Sequence, residues 1–219
     1  MAEITFMADG NQQNGYLSIP ESGQGRGVLV LHAWWGLIDL FKSICDELAD
    51  NGYVAFAPDL HHGKTASTVA EAEALVSLTE GPDRLAVQAT AEAALDYLQN
   101  HPAVQGNKLG AVGFSFGAYY ALLLDELHPG AFAGIVLFYG MVGADLSGSS
   151  ARFLCHFAEQ DEWEPGDVTK MAAANAEIHI YPGTGHWFFE SDRPDAYDPE
   201  AAALAWQRTL AFLEEVLSK

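Results

Sequence analysis

Short apolar runs alternate with amphipathic runs along almost the whole chain, and no other feature restricts the possible folds so strongly. GVLVLH at 27–32 is continuously apolar, the pattern of a strand covered on both faces. Residues 39–51 repeat apolar side chains at helical spacing up to Gly52, a C-terminal stop signal. YVAFAP at 53–58 predicts the next strand, closed by Pro58. Two Ala- and Leu-rich helices are expected at 67–80 and 82–100, parted by Gly81-Pro82. A strand at 108–114, a helix at 116–127 and strands at 133–140, 152–158 and 177–182 follow. Asp198-Pro199 supplies a cap and a first-turn proline for a last helix to about 217. A short strand pair, 4–8 and 15–19, precedes the series. Such alternation predicts an α/β fold: a mainly parallel, twisted sheet with helices on both faces. Functional groups then gather beyond the carboxyl ends of the strands. The expected rim is 59–66, 140–151 and 183–198, and the absence of repeats and linkers predicts one domain over 1–219, without a large inserted cap.

Charge narrows the partners. Ten basic and 30 acidic residues give a formal net charge of −20. That excess repels polyanions, so neither nucleic acid nor an anionic membrane surface is an expected partner. No apolar run is long enough to span a bilayer, and the N-terminus has no basic segment followed by an apolar one. A cytoplasmic monomer or small homo-oligomer acting on a small molecule is the expectation. The two cysteines, Cys45 in a helical pattern and Cys155 in a strand pattern, read as buried free thiols.

Chemistry enters at Gly113-Phe114-Ser115-Phe116-Gly117. This G-x-S-x-G follows a predicted strand and opens a predicted helix, the setting of a nucleophile elbow. A serine hydroxyl is a weak nucleophile and needs a base, itself held by a third group. In a hydrolase of this architecture the order is Ser, then an acid, then His, on loops after later strands. Glu159, Asp161 and Glu162 cluster after the strand 152–158, and position alone leaves all three open, with Asp161 preferred. His186 follows 177–182 in a glycine-flanked stretch.

Four of the other seven histidines have ordinary explanations. His156 and His179 sit inside strands, and His101 and His128 precede prolines at helix ends. His32 ends a strand near the expected site and is a candidate to line a substrate pocket, as are His61-His62, with Trp35 and Trp187. His61-His62 as a metal site lacks a third ligand, and adjacent residues on a strand end point apart, so no metal is expected. Phe116 N–H, at the start of its helix, is one candidate oxyanion donor, and Trp34 N–H, in the loop after 27–32, is the other.

LHAWWGL, YVAFAPDLHHG, GFSFG, CHFAEQDEWEP, PGTGHWFF and AYDPEAAALAWQRTLAFL together resemble the dienelactone hydrolase family of α/β-hydrolases over nearly the whole chain. The resemblance implies the α/β-hydrolase fold, hydrolysis of esters or lactones without a cofactor, and a nucleophile–His–Asp triad at Ser115, His186 and Asp161. Three positions depart from the pattern. Ser115 stands where the best-known members have cysteine, and Ala33 where they have a glutamate that tunes the thiol. Glu190 stands where an arginine for a substrate carboxylate is expected, leaving Arg84 and Arg193 as candidates to bind an anion. The rival expectation is a hydrolase-like fold that binds a small ligand or partner without chemistry.

Overall fold

The protein is described by a computed structural model covering residues 1–78, 82–164, 166, 168, 171 and 176–218. Gly81, expected to part the two central helices, lies outside the described residues. The chain divides into two compact units, Met1–Leu109 and Gly110–Lys219.

In the first unit, β1 (Ala2–Ala8) and β2 (Asn11–Ser18) form a hairpin with Ala8 opposite Asn11. Asp9 and Gly10 turn it with φ of 46° and 75°. Paired left-handed residues match the twist of the flanking strands, so pairing runs right up to the turn. That is why both strands are longer than the apolar pattern alone predicts. Strands β3 (Gly25–Leu31) and β4 (Tyr53–Pro58) run parallel. Every residue of β4 is buried, and successive side chains alternate between faces, so both faces of this strand are covered. Helix α1 (Asp39–Asp50) buries Phe41, Ile44, Cys45, Leu48 and Ala49 along one stripe. Helices α2 (Val69–Leu78) and α3 (Pro82–Gln99) follow. Strand β5 (Val104–Phe114) carries the chain from the first unit into the second.

The second unit contains α4 (Phe116–Leu127), β6 (Phe132–Phe138), β7 (Arg152–Gln160), β8 (Ala176–Gly185) and α5 (Pro199–Leu217). β6, β7 and β8 are parallel neighbours. The eight strands form one sheet in the order β1-β2-β4-β3-β5-β6-β7-β8, antiparallel only where β2 meets β1 and β4 among the registers described. As the sequence predicts, Asp198 caps α5, accepting from the amides of Glu200 at 3.1 Å and Ala201 at 2.9 Å, with Pro199 in the first turn. An aromatic cluster fills the core above these strands. Phe114 stacks on Phe138 at 4.7 Å, Phe138 meets Phe189 at 4.7 Å, and Phe189 meets Trp206 of α5 at 5.9 Å. The stretch 186–189 is thereby anchored to the helix beneath it.

Candidate active site

Ser115 occupies the single residue between β5 and α4, with φ 47° and ψ −107°. A non-glycine residue held at positive φ is strained, and surrounding contacts must impose it. Here its N–H donates to the Phe138 carbonyl at 2.9 Å, and its carbonyl accepts from Ala118 N–H at 2.9 Å. Gly113 makes the turn possible. A Cβ there would lie 2.7 Å from the Gly117 carbonyl oxygen and 2.8 Å from Ala118 Cα, both backbone atoms that cannot swing aside. Gly113→Ala is therefore expected to cost about 1–3 kcal/mol through overpacking. In a chain of this size that lowers Tm by roughly 2–12 °C. Calorimetry that finds Tm within 1 °C of wild type would count against this account of the elbow.

A serine before a helix ordinarily caps it by accepting from an amide of the first turn. Ser115 makes no side-chain cap. Its Oγ instead lies 2.9 Å from His186 Nε2. His186 Nδ1 is 2.8 Å from Asp161 Oδ2 and 3.0 Å from Oδ1. Sheet register explains how two residues 25 apart in sequence meet. β7 and β8 are not finished where their apolar patterns end. After a bulge between Ala158 and Gln160, Gln160 pairs with Gly185, so the next residues, Asp161 and His186, leave adjacent strand ends side by side. The Gly183–Gly185 stretch, expected as a loop, is the end of β8.

Of the three candidate acids, only Asp161 meets His186 among the described contacts. Glu159 accepts from Gly183 N–H at 2.9 Å, and Glu162 is exposed. Burial alone would raise the Asp161 carboxyl. Hydrogen bonds from His186 and from the Trp163 and Glu164 amides outweigh it and hold the carboxyl below its ordinary value. The acid is thus an anion with its lone pairs already committed, fit to fix the imidazole tautomer with Nε2 facing the serine.

Glu190 stands where the sequence resemblance implies an arginine, and it points inward. It is wholly buried and accepts from the Tyr139 hydroxyl at 2.8 Å. Burial first, and the Glu190 carboxylate second, push the Tyr139 phenol well above its usual range, so Tyr139 remains a donor. Tyr139 also packs its ring 4.9 Å from His186 and adopts φ 35° at the end of β6. Arg193 is ion-paired to Asp192 at 3.6 Å, and Arg84 lies on the exposed part of α3. Cys155 is buried with its thiol pushed up to about 12, and burial pushes Cys45 higher still. Neither thiol is poised to act as a nucleophile.

Four further candidates from sequence belong to the first unit. His32 is fully buried, and both ring nitrogens are engaged by main chain. Nδ1–H donates to the Ala33 carbonyl at 2.7 Å, and Nε2 accepts from Leu60 N–H at 3.0 Å. With no surface to offer, it holds the loop rather than lining a pocket, a correction to the expectation above. His61 packs 5.2 Å from His32, bonds the Trp34 main chain and is pushed down to about 3, chiefly by burial. Trp35 is buried, its carbonyl accepting from Ala66 N–H at 3.0 Å, and its ring meets that of the half-buried Trp34 edge-on. The loop carrying Trp34 is therefore fixed from several sides. Phe116 opens α4, where amides of the first turn point outward along the helix axis. Among the described residues, no group of three or more His, Cys, Asp or Glu side chains is placed to hold a metal ion, and no helix is long and apolar enough to cross a membrane.

Known proteins resemble the chain over nearly their whole lengths. The dienelactone hydrolase family matches residues 13–217. "Protein usf" of Aquifex pyrophilus is 32% identical, over 98% of each chain. A Bradyrhizobium protein named "Probable 2-oxo-3-(5-oxofuran-2-ylidene)propanoate lactonase" is 31% identical, over 96% of this chain and 92% of its own. Among solved structures, a dienelactone hydrolase-like promiscuous phosphotriesterase from metagenomic libraries superposes with a TM-score of 0.85. It covers 98% of this chain and 97% of its own at 24% identity, a likeness of fold. With its eight-stranded, mostly parallel sheet, the chain has the α/β-hydrolase fold and belongs to the dienelactone hydrolase family.

Proposed function

We propose that this hydrolase cleaves small carboxylic esters or lactones through an acyl-enzyme on Ser115. The observation that carries the reading is the unbroken hydrogen-bonded line from Ser115 Oγ through His186 to Asp161, on a serine whose hydroxyl does not cap its helix. Ser115 Oγ attacks the carbonyl carbon and passes its proton to His186 Nε2. Asp161 stabilises the imidazolium that forms. The tetrahedral oxyanion takes a hydrogen bond from Phe116 N–H, and we assign the second donor to Trp34 N–H. Collapse breaks the carbonyl–alkoxy bond, and His186 gives its proton to the departing oxygen, which stays tethered if the substrate is a lactone. Water then attacks the acyl-serine, losing its proton to His186, and the carboxylic acid leaves as Ser115 regains its hydrogen.

Serine in place of cysteine is consistent with Ala33. A neutral hydroxyl has no thiolate to restrain, so the family's glutamate has no task at that position. The named function of the Bradyrhizobium relative supports including lactones. The chain is read as one cytoplasmic catalytic domain, a monomer or small homo-oligomer, working without a cofactor. A fluorophosphonate probe tests the nucleophile directly, since it phosphonylates only an activated serine. Mass spectrometry of the labelled protein should place a single adduct on Ser115 and none in Ser115→Ala. An unlabelled wild type would favour a ligand-binding protein that lacks chemistry.

A further inference from the structure

Trp163 is 44% exposed, a costly place for an indole that could bury about 200 Å². Its position is not casual. It lies two residues after Asp161, and its own N–H donates to Asp161 Oδ1 at 2.9 Å, so its backbone is tied to the triad acid. Its ring lies 5.4 Å from that of Trp187, tilted by 43°. Trp187 in turn stands edge-on to His186 at 5.1 Å. Trp187 is nearly buried and holds φ 66°, a conformation that a bulky side chain adopts only when its surroundings impose it. The two indoles and the imidazole therefore form a continuous aromatic run, with Trp163 at its wet end.

We propose that the Trp163–Trp187 pair is a platform on which an uncharged aryl group of the ester substrate stacks, making Trp163 a specificity-determining residue. The inference rests on the ester-hydrolase reading of the same site. An indole face takes a second ring in offset or edge-to-face contact and gains more than its area alone would give. Burying the exposed indole under such a ring removes apolar surface on both partners from water. The sign of charge is set by the neighbours. Glu159, Asp161, Glu162 and Glu164 surround Trp163 in sequence, Arg193 is paired with Asp192, and the buried Glu190 adds a further carboxylate, bonded to the Tyr139 whose ring packs on His186. An anionic aryl acid would meet repulsion there, and a neutral aryl ester would not.

The test uses two ester pairs of equal intrinsic reactivity that differ in an aryl ring. Methyl 3-phenylpropanoate against methyl hexanoate probes the acyl side, and 2-phenylethyl acetate against hexyl acetate probes the alcohol side. The ratio of kcat/KM, aryl over alkyl, should favour aryl in at least one pair for wild type. Trp163→Phe should retain most of that ratio. Trp163→Ala should lower it by about two- to tenfold, mainly through KM, the range that an aromatic pair of ~0.5–1.5 kcal/mol gives. An unchanged ratio in Trp163→Ala overturns the proposal, as does a wild-type preference for monomethyl succinate or for a trimethylammonium ester. Tryptophan-fluorescence titration of Ser115→Ala with methyl 3-phenylpropanoate and methyl hexanoate separates binding from chemistry. Tighter binding of the aryl ester, weakened by adding Trp163→Ala, upholds the platform even if wild type hydrolyses neither. Equal affinities refute it while leaving the triad reading intact.

Discussion

Ser115→Ala is expected to lower kcat/KM for a short p-nitrophenyl ester by ~10³-fold or more, with the protein still folded. The magnitude follows from what the substitution removes. Neither cysteine can take the serine's place, because Cys45 and Cys155 are buried with raised thiol pKa values and lie in structural helix and strand positions. What would survive is the proposed oxyanion pair, Phe116 N–H and Trp34 N–H, because backbone amides outlast the change. Ser115→Ala/His186→Ala should be scarcely worse than either single variant, since a serine without its base and a base without its serine are equally idle. Strict additivity of the two losses would mean that the 2.9 Å contact between them has no catalytic meaning. Turnover within tenfold of wild type in Ser115→Ala would sink the mechanism itself.

The element order was legible because period-two and period-3.6 patterns are written locally. GVLVLH, YVAFAP and the capped run after Asp198 each declare themselves within a dozen residues. The candidate nucleophile Ser115 and candidate base His186 could be singled out for a related reason: chain order and strand ends confine them. Contacts set by long-range pairing were not. The stretch 183–185, GTG, reads as a loop by composition, yet it continues β8 because the bulge after Ala158 brings Gln160 opposite Gly185. His32 ends a strand beside the expected site, and only the fold shows that Leu60 N–H claims its Nε2. The inward turn of Glu190 depends on a tyrosine 51 residues away. Trp163 had a weak local signal, an aromatic residue in an acidic loop directly after the candidate acid, but its value comes from Trp187 beneath it.

Stability is expected to fall as pH drops from about 6.5 towards 5, above the range in which most carboxylates titrate. His32 is lowered to about 4, burial being the main cause, and His156 lies well below 6.5 for the same reason, with His179 and Arg208 adding to the shift. Both are neutral in the fold and locked as single tautomers. Thr209 Oγ donates to the Ala205 carbonyl and so accepts from His156 Nε2–H, while His156 Nδ1 accepts from the Tyr181 hydroxyl. A proton added to either ring would set donor against donor. In the unfolded chain both titrate near 6.5, so below that pH the unfolded state binds more protons. Their contribution is therefore complete above 6.5 and is lost as pH falls towards the folded values. For His32 alone, a displacement from 6.5 to about 4 corresponds to ~3 kcal/mol. At 2–4 °C per kcal/mol for a chain of this size, that is roughly a 10 °C fall in Tm. The opposing effect, relief of self-repulsion among an excess of 20 negative charges, comes chiefly from protonated carboxylates, whose ordinary values near 4 place it mainly below about pH 5. The histidines decide the slope between 6.5 and 5. Calorimetry from pH 8 to 4.5 should show that decline, and His32→Gln should be less stable at pH 8 but flatter with pH. A level Tm across the window would mean that His32 and His156 take up protons without leaving the fold.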